Sequence, residues 1–309
     1  YLPGRTYLGL ERLVLDNTLQ DFTGLRERLS MAFFRRMGHP APREAHARLY
    51  VNGEYAGLYA IVEDIDRFFL AGNFNDPEGY LYEYHWLGDY RFGYLGANLS
   101  VYLEMFEPVT HRDAPQGERL EELARLIDTT AEADFIARLS PVIDLRQLTS
   151  HIAVENFLAE WDGILGTEGL NNFYLYRPSA GGPFRFIPWD KDVTMVFLEH
   201  PLDFGLTTNA LVAKTLAHAE YRSYYFAELA RAAEMAGGPD GWLAGEAERA
   251  YGQVRQAAAE DPFDRPGNDE YERRFEAVRD FTRYRSGVVR AALERLRAGA
   301  PGRIMEEDE

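Results

Sequence analysis

Three oxygen-bearing side chains, Asp162, Asn172 and Asp190, follow one another in the middle of this 309-residue chain. Asp162 follows an apolar helical segment, Asn172 opens a short aromatic segment, and Asp190 closes the next one. A carboxylate can orient an acceptor hydroxyl, and an Asp with an Asn carbonyl can hold Mg²⁺ on the phosphates of a nucleotide. This order around a small hairpin predicts phosphoryl transfer, with Asp162 as the base and Asn172 and Asp190 as metal ligands.

Each of these residues taken alone has a structural alternative, because Asp and Asn are common at turns and helix ends. Asp162 would then only close its helix, and Asp192 would be either a second carboxylate ligand or a solvated loop residue. Asn171 is expected to be a turn residue, because Asn172 directly precedes the strand. The ordered set of helix, Asp, loop, Asn, strand, turn, strand and Asp favours the catalytic interpretation.

Local patterns predict the elements at the N-terminal side of this set. Residues 10–15 are predicted to form a strand, and Asp21 to cap a helix. Residues 47–50 and 55–62 are predicted to form a hairpin around Asn52-Gly53, which also accounts for the nearby glycines without a phosphate-binding loop. This order of strand, helix and hairpin is that of a kinase small lobe.

The predicted fold class is α+β, with an atypical protein-kinase-like arrangement. Residues 1–66 would form a mixed, β-rich small lobe, and residues 67–309 a mainly helical large lobe. A capping box formed by Asp144 and Gln147 predicts a buried helix that runs to about Glu160 and supports the catalytic loop.

Several motifs resemble the CotH-type spore-coat kinases, an atypical branch of the protein-kinase-like fold. The matching segments cover nearly the whole chain and lie at residues 13–17 (LVLDN), 21–27 (DFTGLRE), 49–59, 63–66, 162–172, 187–190 and 281–285. Their order is more specific than any single motif. The resemblance implies an atypical kinase that transfers a phosphoryl group from ATP, with Mg²⁺ or Mn²⁺, to Ser or Thr hydroxyls of a protein.

Two alternatives stay open for this fold. The same site could present the nucleotide reversed and transfer AMP, or the chain could be a catalytically silent surface or coat-assembly module. The intact set of Asp162, Asn172 and Asp190 argues against the silent module. The absence of a small-lobe lysine argues for it, because kinases hold the phosphates with a lysine paired to a helix glutamate.

Arginine is expected to replace that lysine, because a guanidinium also binds phosphate. Arg26 lies in a motif of the family and is the first candidate, with Arg5 and Arg12 as alternatives. Glu27 is the carboxylate expected to pair with such an arginine. Each of these residues has a surface charge as its alternative interpretation.

Two further residues are candidates for contact with the adenine. Glu63 ends the hairpin where a hinge would begin, although its side chain could equally serve in a structural ion pair. Trp189 could stack on the base, although packing in the core is the more conservative interpretation.

Composition limits the partners. A net charge of −17 argues against nucleic acid, which requires a basic surface, and favours a basic, Ser/Thr-rich protein substrate. The chain lacks cysteine, so it has no disulfide or thiolate chemistry, and no apolar run is long enough for a membrane span. The sequence leaves the location open, and the resemblance is compatible with a cell-surface, secreted or spore-coat protein.

Overall fold

A computed structural model describes residues 12–262 and 267–298 of the chain. It combines helices with antiparallel sheets, so the predicted α+β class is confirmed. The N-terminal elements are β1 (Val14–Asp16), α1 (Arg26–Arg36), β2 (Glu44–Val51) and β3 (Glu54–Val62). They are followed by α2 (Arg67–Phe74), β4 (Tyr80–Tyr84), α3 (Leu99–Met105), β5 (Phe106–Pro108), α4 (Gly117–Thr129), α5 (Glu132–Leu139), α6 (Leu145–Phe157), β6 (Phe173–Arg177), β7 (Arg185–Pro188), α7 (Ala210–Ala217), α8 (Ala219–Ala236), α9 (Trp242–Ala259) and α10 (Asn268–Arg297).

The N-terminal sheet has the strand order β1-β3-β2 and contains the predicted hairpin. Asn52 and Gly53 connect β2 to β3 with φ angles of 53° and 85°, the left-handed conformations that a tight hairpin turn requires. The predicted first strand is shorter than expected within the described residues, because β1 begins at Val14, and residues 10 and 11 lie outside them.

Gly57 in β3 has a packing role that the hairpin alone does not explain. Its φ is +111°, and a Cβ added there would lie 2.9 Å from Oδ1 of Asp261, just beyond α9. The other oxygen of this carboxylate accepts a hydrogen bond from the backbone N–H of Leu58 at 2.9 Å. Glycine therefore allows the end of α9 to dock against the N-terminal sheet.

Replacing Gly57 by alanine is expected to lower the free energy of unfolding by about 1–3 kcal/mol, through backbone strain and collision with Asp261. Urea unfolding of both proteins measures this change. Gly72→Ala is the matched control, because Gly72 is exposed on α2 and its added Cβ would meet nothing within 4 Å. An unchanged midpoint for Gly57→Ala would contradict the proposed docking role.

Helix α1 begins differently from the prediction that Asp21 caps it directly. Leu25 occupies the N-cap position, and the Asp21 carboxylate accepts hydrogen bonds from the backbone N–H groups of Leu25 and Arg26, each at 2.7 Å. Asp21 therefore still provides acceptors for N–H groups at the start of the helix, but a turn of residues 21–24 separates it from the first helical residue. The helix packs inward through Phe33, whose ring stacks on Phe157 of α6 with centroids 5.1 Å apart.

The second sheet has the order β5-β4-β6-β7 and is buried on both faces around β6. Phe173 and Leu175 belong to the main hydrophobic core, whereas Tyr174 and Tyr176 belong to a smaller cluster on the other face. Because both faces are covered, the strand that follows Asn172 carries a buried aromatic or aliphatic side chain at every position but its last.

Helix α6 is the buried support predicted for the loop that carries Asp162, since all its residues from 148 to 157 are buried. It ends at Phe157, earlier than the predicted Glu160, because Ala159 adopts a left-handed conformation with φ of 57°. The loop that carries Asp162 therefore begins one turn earlier than expected.

The predicted capping box at the start of α6 is only half correct. Asp144 accepts a hydrogen bond from the backbone N–H of Gln147 at 3.0 Å. The Gln147 side chain does not reciprocate; it bonds the backbone N–H and C=O of Phe186 at 3.0 and 2.9 Å. This glutamine thus ties α6 to β7, the strand that leads to Asp190.

The boundary between lobes at residues 66 and 67 stays a prediction. The main core contains residues from α1 and β3 together with those of the later helices. Tyr55 of β3 also donates a hydrogen bond to the carbonyl of Ala257 in α9 at 2.9 Å. Across the described part of the chain, no helix has the length and apolarity needed to cross a membrane.

Candidate active site

The loop after α6 brings Asp162 to the start of β6. Nδ2 of Asn172 donates to Oδ2 of Asp162 at 3.1 Å and to its carbonyl oxygen at 3.0 Å. Nδ2 of Asn171 donates to both carboxylate oxygens of Asp162, at 3.2 Å each. The interpretation of Asn171 as a turn residue alone was therefore wrong, because its side chain helps to orient the carboxylate.

Asn172 and Asp190 flank the same end of the β6–β7 pair. Phe173 is opposite Pro188 in the register, and the backbone N–H of Trp189 donates to the carbonyl of Asn172 at 3.2 Å. Asn172 and Asp190 have φ angles of 59° and 46°, and Asn and Asp tolerate this left-handed region better than other residues with a side chain. The backbone thus places both residues at the same end of the β6–β7 pair, where Asn172 contacts Asp162.

Asp190 lies in a strongly acidic environment. Burial raises the pKa of its carboxyl group, and the charge of Asp16 raises it further. Lys191 partly offsets this effect, and Asp162 adds to it. Asp16 is the last residue of β1, so the N-terminal sheet contributes a carboxylate to the site.

Five residues, which we call the acidic cluster, repel one another in this region: Asp16, Glu27, Glu44, Asp190 and Asp192. Burial raises the pKa of Glu44 to about 8, although Arg35 and Arg28 offset part of this effect, and burial with the neighbouring carboxylates raises the pKa of Asp192 to about 7. Burial and the neighbouring carboxylates also hold the pKa of Glu27 well above its usual range. The cluster is therefore costly to keep ionised without a cation.

The cluster consists of oxygen donors, the ligand type that a divalent cation such as Mg²⁺ prefers. Both carboxylate oxygens of Glu44 and Oδ1 of Asp192 are buried. These three oxygens have no hydrogen-bond partner among the described residues. In that same part of the chain, no three Asp, Glu or His side chains form a ready metal cage. Mg²⁺ commonly binds through one or two side chains and completes its shell with phosphate and water oxygens. Asp190 and the amide oxygen of Asn172 are suitable protein ligands for that arrangement.

Arg26, the predicted phosphate ligand, lies at the edge of the acidic cluster. Its Nε is 3.7 Å from Oδ1 of Asp21 and is buried without a hydrogen-bond partner among the described residues. Its charge lowers the pKa of Asp192, against the effect of burial and of the other carboxylates. The predicted partner Glu27 lies instead among carboxylates. Arg26 is thus a partly unsatisfied cation beside the metal-binding candidates.

Glu63 lines a cavity of about 490 Å³ between the N-terminal sheet and α2. The cavity has apolar walls that include Leu13, Ile61 and Phe69. The Glu63 carboxylate is occupied by Arg43, whose Nη2 and Nε approach it at 2.5 and 3.0 Å. The structural ion pair is therefore formed, and a direct contact of Glu63 with adenine stays a prediction.

Trp189 packs in the smaller cluster of the second sheet. Its ring makes an edge-on contact with Tyr174, with centroids 5.5 Å apart, and it is half-buried. These contacts support packing in the core, the more conservative of the two interpretations of Trp189. Stacking of Trp189 on a base stays a prediction.

Two parts of the site were not predicted from the sequence. Asp16 and Glu44 belong to separate strands, and their convergence on Asp190 depends on tertiary packing. Lys191 follows Asp190 directly and had no assigned role in the sequence analysis. It is fully buried and forms an ion pair with Glu155 of α6 at 2.9 Å.

Comparison with known proteins agrees with the motif resemblance. The chain matches the family model described as CotH kinase protein over residues 2–289. It is 23% identical over 306 residues to inner spore coat protein H of Bacillus subtilis. This alignment covers 96% of the present chain and 82% of the relative. The invasins CotH2 and CotH3 of Rhizopus delemar are 29% and 27% identical over 57% of this chain, and the alignments span 30% of each invasin. Because the family model covers nearly the whole sequence, the protein belongs to the CotH kinase protein family.

Proposed function

We propose that this protein transfers the terminal phosphoryl group of ATP to Ser or Thr hydroxyls of a protein. The observation that carries the proposal is the proximity of Asp162, Asn172 and Asp190 at one end of the β6–β7 pair. Phosphoryl transfer depends mainly on positioning and electrostatic stabilisation, and these three side chains have the types it requires. The family to which the chain belongs, described as a kinase family, supports the same reaction class.

Each residue has a distinct role in this proposal. Asp162, held by the two amide groups of Asn171 and Asn172, would orient the acceptor hydroxyl and accept its proton. Asp190 and Asn172 would hold Mg²⁺ or Mn²⁺. The cation would neutralise charge on the nucleotide phosphates.

The cavity beside Glu63 is the proposed place for the adenine. Its volume of about 490 Å³ suits a small ligand, and it combines apolar walls with a few polar groups. The strand order β1-β3-β2 with α1 between β1 and β2 also supports a kinase-like small lobe. Arg26 is the proposed phosphate ligand, because its Nε is buried and lacks a partner among the described residues.

A coat or surface location is proposed by analogy with the relatives. Their printed names describe an inner spore coat protein and two invasins. The net charge of −17 supports an acceptor that carries Lys or Arg near the modified hydroxyl.

The deciding experiment is incubation with ATP labelled on either the α or the γ phosphate, with Mg²⁺ or Mn²⁺ and a protein acceptor. Label from the γ position, with a mass increase of one phosphate, is the expected result. Transfer of the α label would establish AMP transfer instead. Binding of ATP without transfer to any acceptor, including the protein itself, would support the silent module.

The acidic surface is expected to select basic acceptors. Because opposite charges speed encounter, a Ser peptide flanked by Arg should react about 10-fold faster than one flanked by Glu at low salt. The difference should shrink near 1 M salt, where the screening length falls to about 3 Å. Initial rates for both peptides at the two salt concentrations measure it, with a neutral Ser peptide as control. Equal rates at low salt would count against this substrate class.

A further inference from the structure

We propose that Glu155 and Lys191 form a positioning pair that holds the Asp162 loop at a fixed place relative to Asp190. The pair joins two segments of the site that are far apart in sequence. The inference rests on the proposed function, because it assigns Asp162 and Asp190 to one reaction. Neither residue is expected to touch the nucleotide or the acceptor.

Lys191 lies directly between Asp190 and Asp192, yet its side chain points away from solvent. It is fully buried, with Nζ 2.9 Å from Oε1 of Glu155 and 3.9 Å from Oε2 of Glu160. A buried ion pair is weak evidence for stability, since well-packed apolar residues often serve as well. A role in placing the segment that carries Asp190 accounts for a lysine at this position.

Glu155 contacts the other segment, the loop that carries Asp162. Its carboxylate accepts a hydrogen bond from the backbone N–H of Ile164, at 3.1 Å to Oε2 and 3.3 Å to Oε1. A Cβ added to Gly163 would lie 2.4 Å from Oε1 of Glu155. The backbone just after Asp162 therefore rests directly on this carboxylate, and glycine permits that approach.

Glu160 completes the connection from the other side of the loop. Its Oε1 accepts a hydrogen bond from the backbone N–H of Asp162 at 2.7 Å. One ammonium group thus faces two carboxyl groups, and each carboxyl group holds a backbone N–H group of the same loop. Moving Lys191 would release Asp162 and Ile164 together.

The Lys191 segment is also anchored toward α1. The hydroxyl of Thr194 donates to the carbonyl of Lys191 at 3.0 Å, and it lies 2.8 Å from Oγ of Ser30. Thr194 and Ser30 are both fully buried. The segment that carries Asp190 is therefore held on two sides, by α6 through Lys191 and by α1 through Thr194.

The charges around Lys191 favour Glu155, rather than Glu160, as its ionised partner. Burial alone would raise the pKa of Glu155, but Lys191 and His151 hold it at about 2. Burial raises the pKa of Glu160 to about 8, and the more distant Lys191 offsets only part of this effect. The 2.9 Å contact between Nζ of Lys191 and Oε1 of Glu155 has the geometry of a charge-assisted hydrogen bond.

The test compares the double variant Glu155→Gln/Lys191→Met with Lys214→Met, in the full chain. The double variant removes both buried charges together, so it leaves neither one unpaired. Lys214 is the matched control, because its Nζ bonds the carbonyls of Ile127 and Asp128, in α4. Lys191→Met alone and Lys191→Arg complete the series.

Amide hydrogen exchange in the protein without nucleotide gives a readout that does not depend on activity. We expect the N–H groups of Asp162 and Ile164 to exchange at least about 10-fold faster in the double variant, with no change in Lys214→Met. Transfer assays should then show kcat lower by about 100-fold with the KM for ATP within about threefold, since small displacements of catalytic groups have effects of that size. Lys191→Arg should recover part of kcat.

The outcomes separate this inference from the proposed function. Unchanged exchange at Asp162 and Ile164 in a folded double variant would overturn the positioning pair, as would an unchanged kcat. A wild-type protein that transfers nothing would overturn the proposed function, and exchange would still decide whether the pair holds the loop. A raised KM with unchanged kcat would point to nucleotide binding and also overturn the inference.

Discussion

Replacing Asp190 by asparagine is expected to reduce phosphoryl transfer by about 100-fold or more while leaving the fold at least as stable as the wild type. The loss follows because removing one preorganised charged group from an active site has effects of that order. Asparagine also tolerates the left-handed φ of 46° at this position, where alanine would be strained. The variant thus separates the loss of a metal ligand from the loss of structure.

Stability should rise because the carboxylate charge of Asp190 is unfavourable in the folded protein. Burial and Asp16 raise its pKa, so the folded state binds the proton more tightly than the unfolded state does. Such a group costs stability as the pH rises above its unfolded pKa. Asp192 and Glu44, with pKa values of about 7 and about 8, extend this loss across the neutral range.

Thermal unfolding from pH 4 to 8, with and without Mg²⁺ and ATP, measures both parts of the prediction. The stability of Asp190→Asn relative to the wild type should increase as the pH rises through this range, because the variant lacks the raised pKa of Asp190. Mg²⁺ with ATP should stabilise the wild type at pH 8 more than the variant. Asp128→Asn, on the exposed side of α4, is the control. Full activity in a stable Asp190→Asn variant would remove Asp190 from the metal site.

The parts of the site predicted from sequence are those that local patterns encode. Asp162 lies in the loop after α6, Asn172 directly precedes β6 and Asp190 shortly follows β7, and all three elements are short, regular segments. The Asn52-Gly53 turn was predictable for the same reason, since the two residues suffice to specify a left-handed turn. Where the chain reverses locally, residue type alone determines the geometry.

The parts that were missed depend on contacts between distant segments. Asp16 and Glu44 approach Asp190 only because β1 and β2 flank β3 in one sheet, which no local pattern states. Gln147 fitted the pattern of a capping box. In the structure its side-chain amide instead makes two hydrogen bonds with the backbone of Phe186, where a capping box would give it one. Lys191 showed no sign of burial, because its partner Glu155 lies on a helix that precedes it by more than thirty residues.

Glu63 illustrates the limit of an interpretation from position alone. It lines the cavity expected near a hinge, yet Arg43 takes up its carboxylate. The two alternatives for its side chain were equal at the level of sequence, because an ion pair across neighbouring strands leaves no pattern in either strand. Only the register between β2 and β3, which pairs Glu44 with Val62, brings Arg43 beside it.

Replacing Asp162 by asparagine is expected to reduce the transfer rate by about 100- to 10,000-fold, the usual contribution of a positioned general base. ATP affinity should stay within about threefold of the wild type, because Asn172 and Asp190 remain. Calorimetry of Mg²⁺–ATP binding and a transfer assay on the same preparation measure both quantities. A loss of affinity equal to the loss of rate would place Asp162 among the nucleotide ligands instead.

The neighbouring amides provide the control for this variant. Asn171 and Asn172 both donate to the Asp162 carboxylate, so an amide at position 162 loses acceptor capacity as well as its basicity. The double variant Asp162→Asn/Asn171→Asp restores a carboxylate and an amide in contact, with their positions exchanged. If Asp162 is the base, this exchange should restore thermal stability but not the rate. Recovery of the rate would show that a negative charge near the hydroxyl suffices, and that the position of the carboxylate is not what the reaction requires.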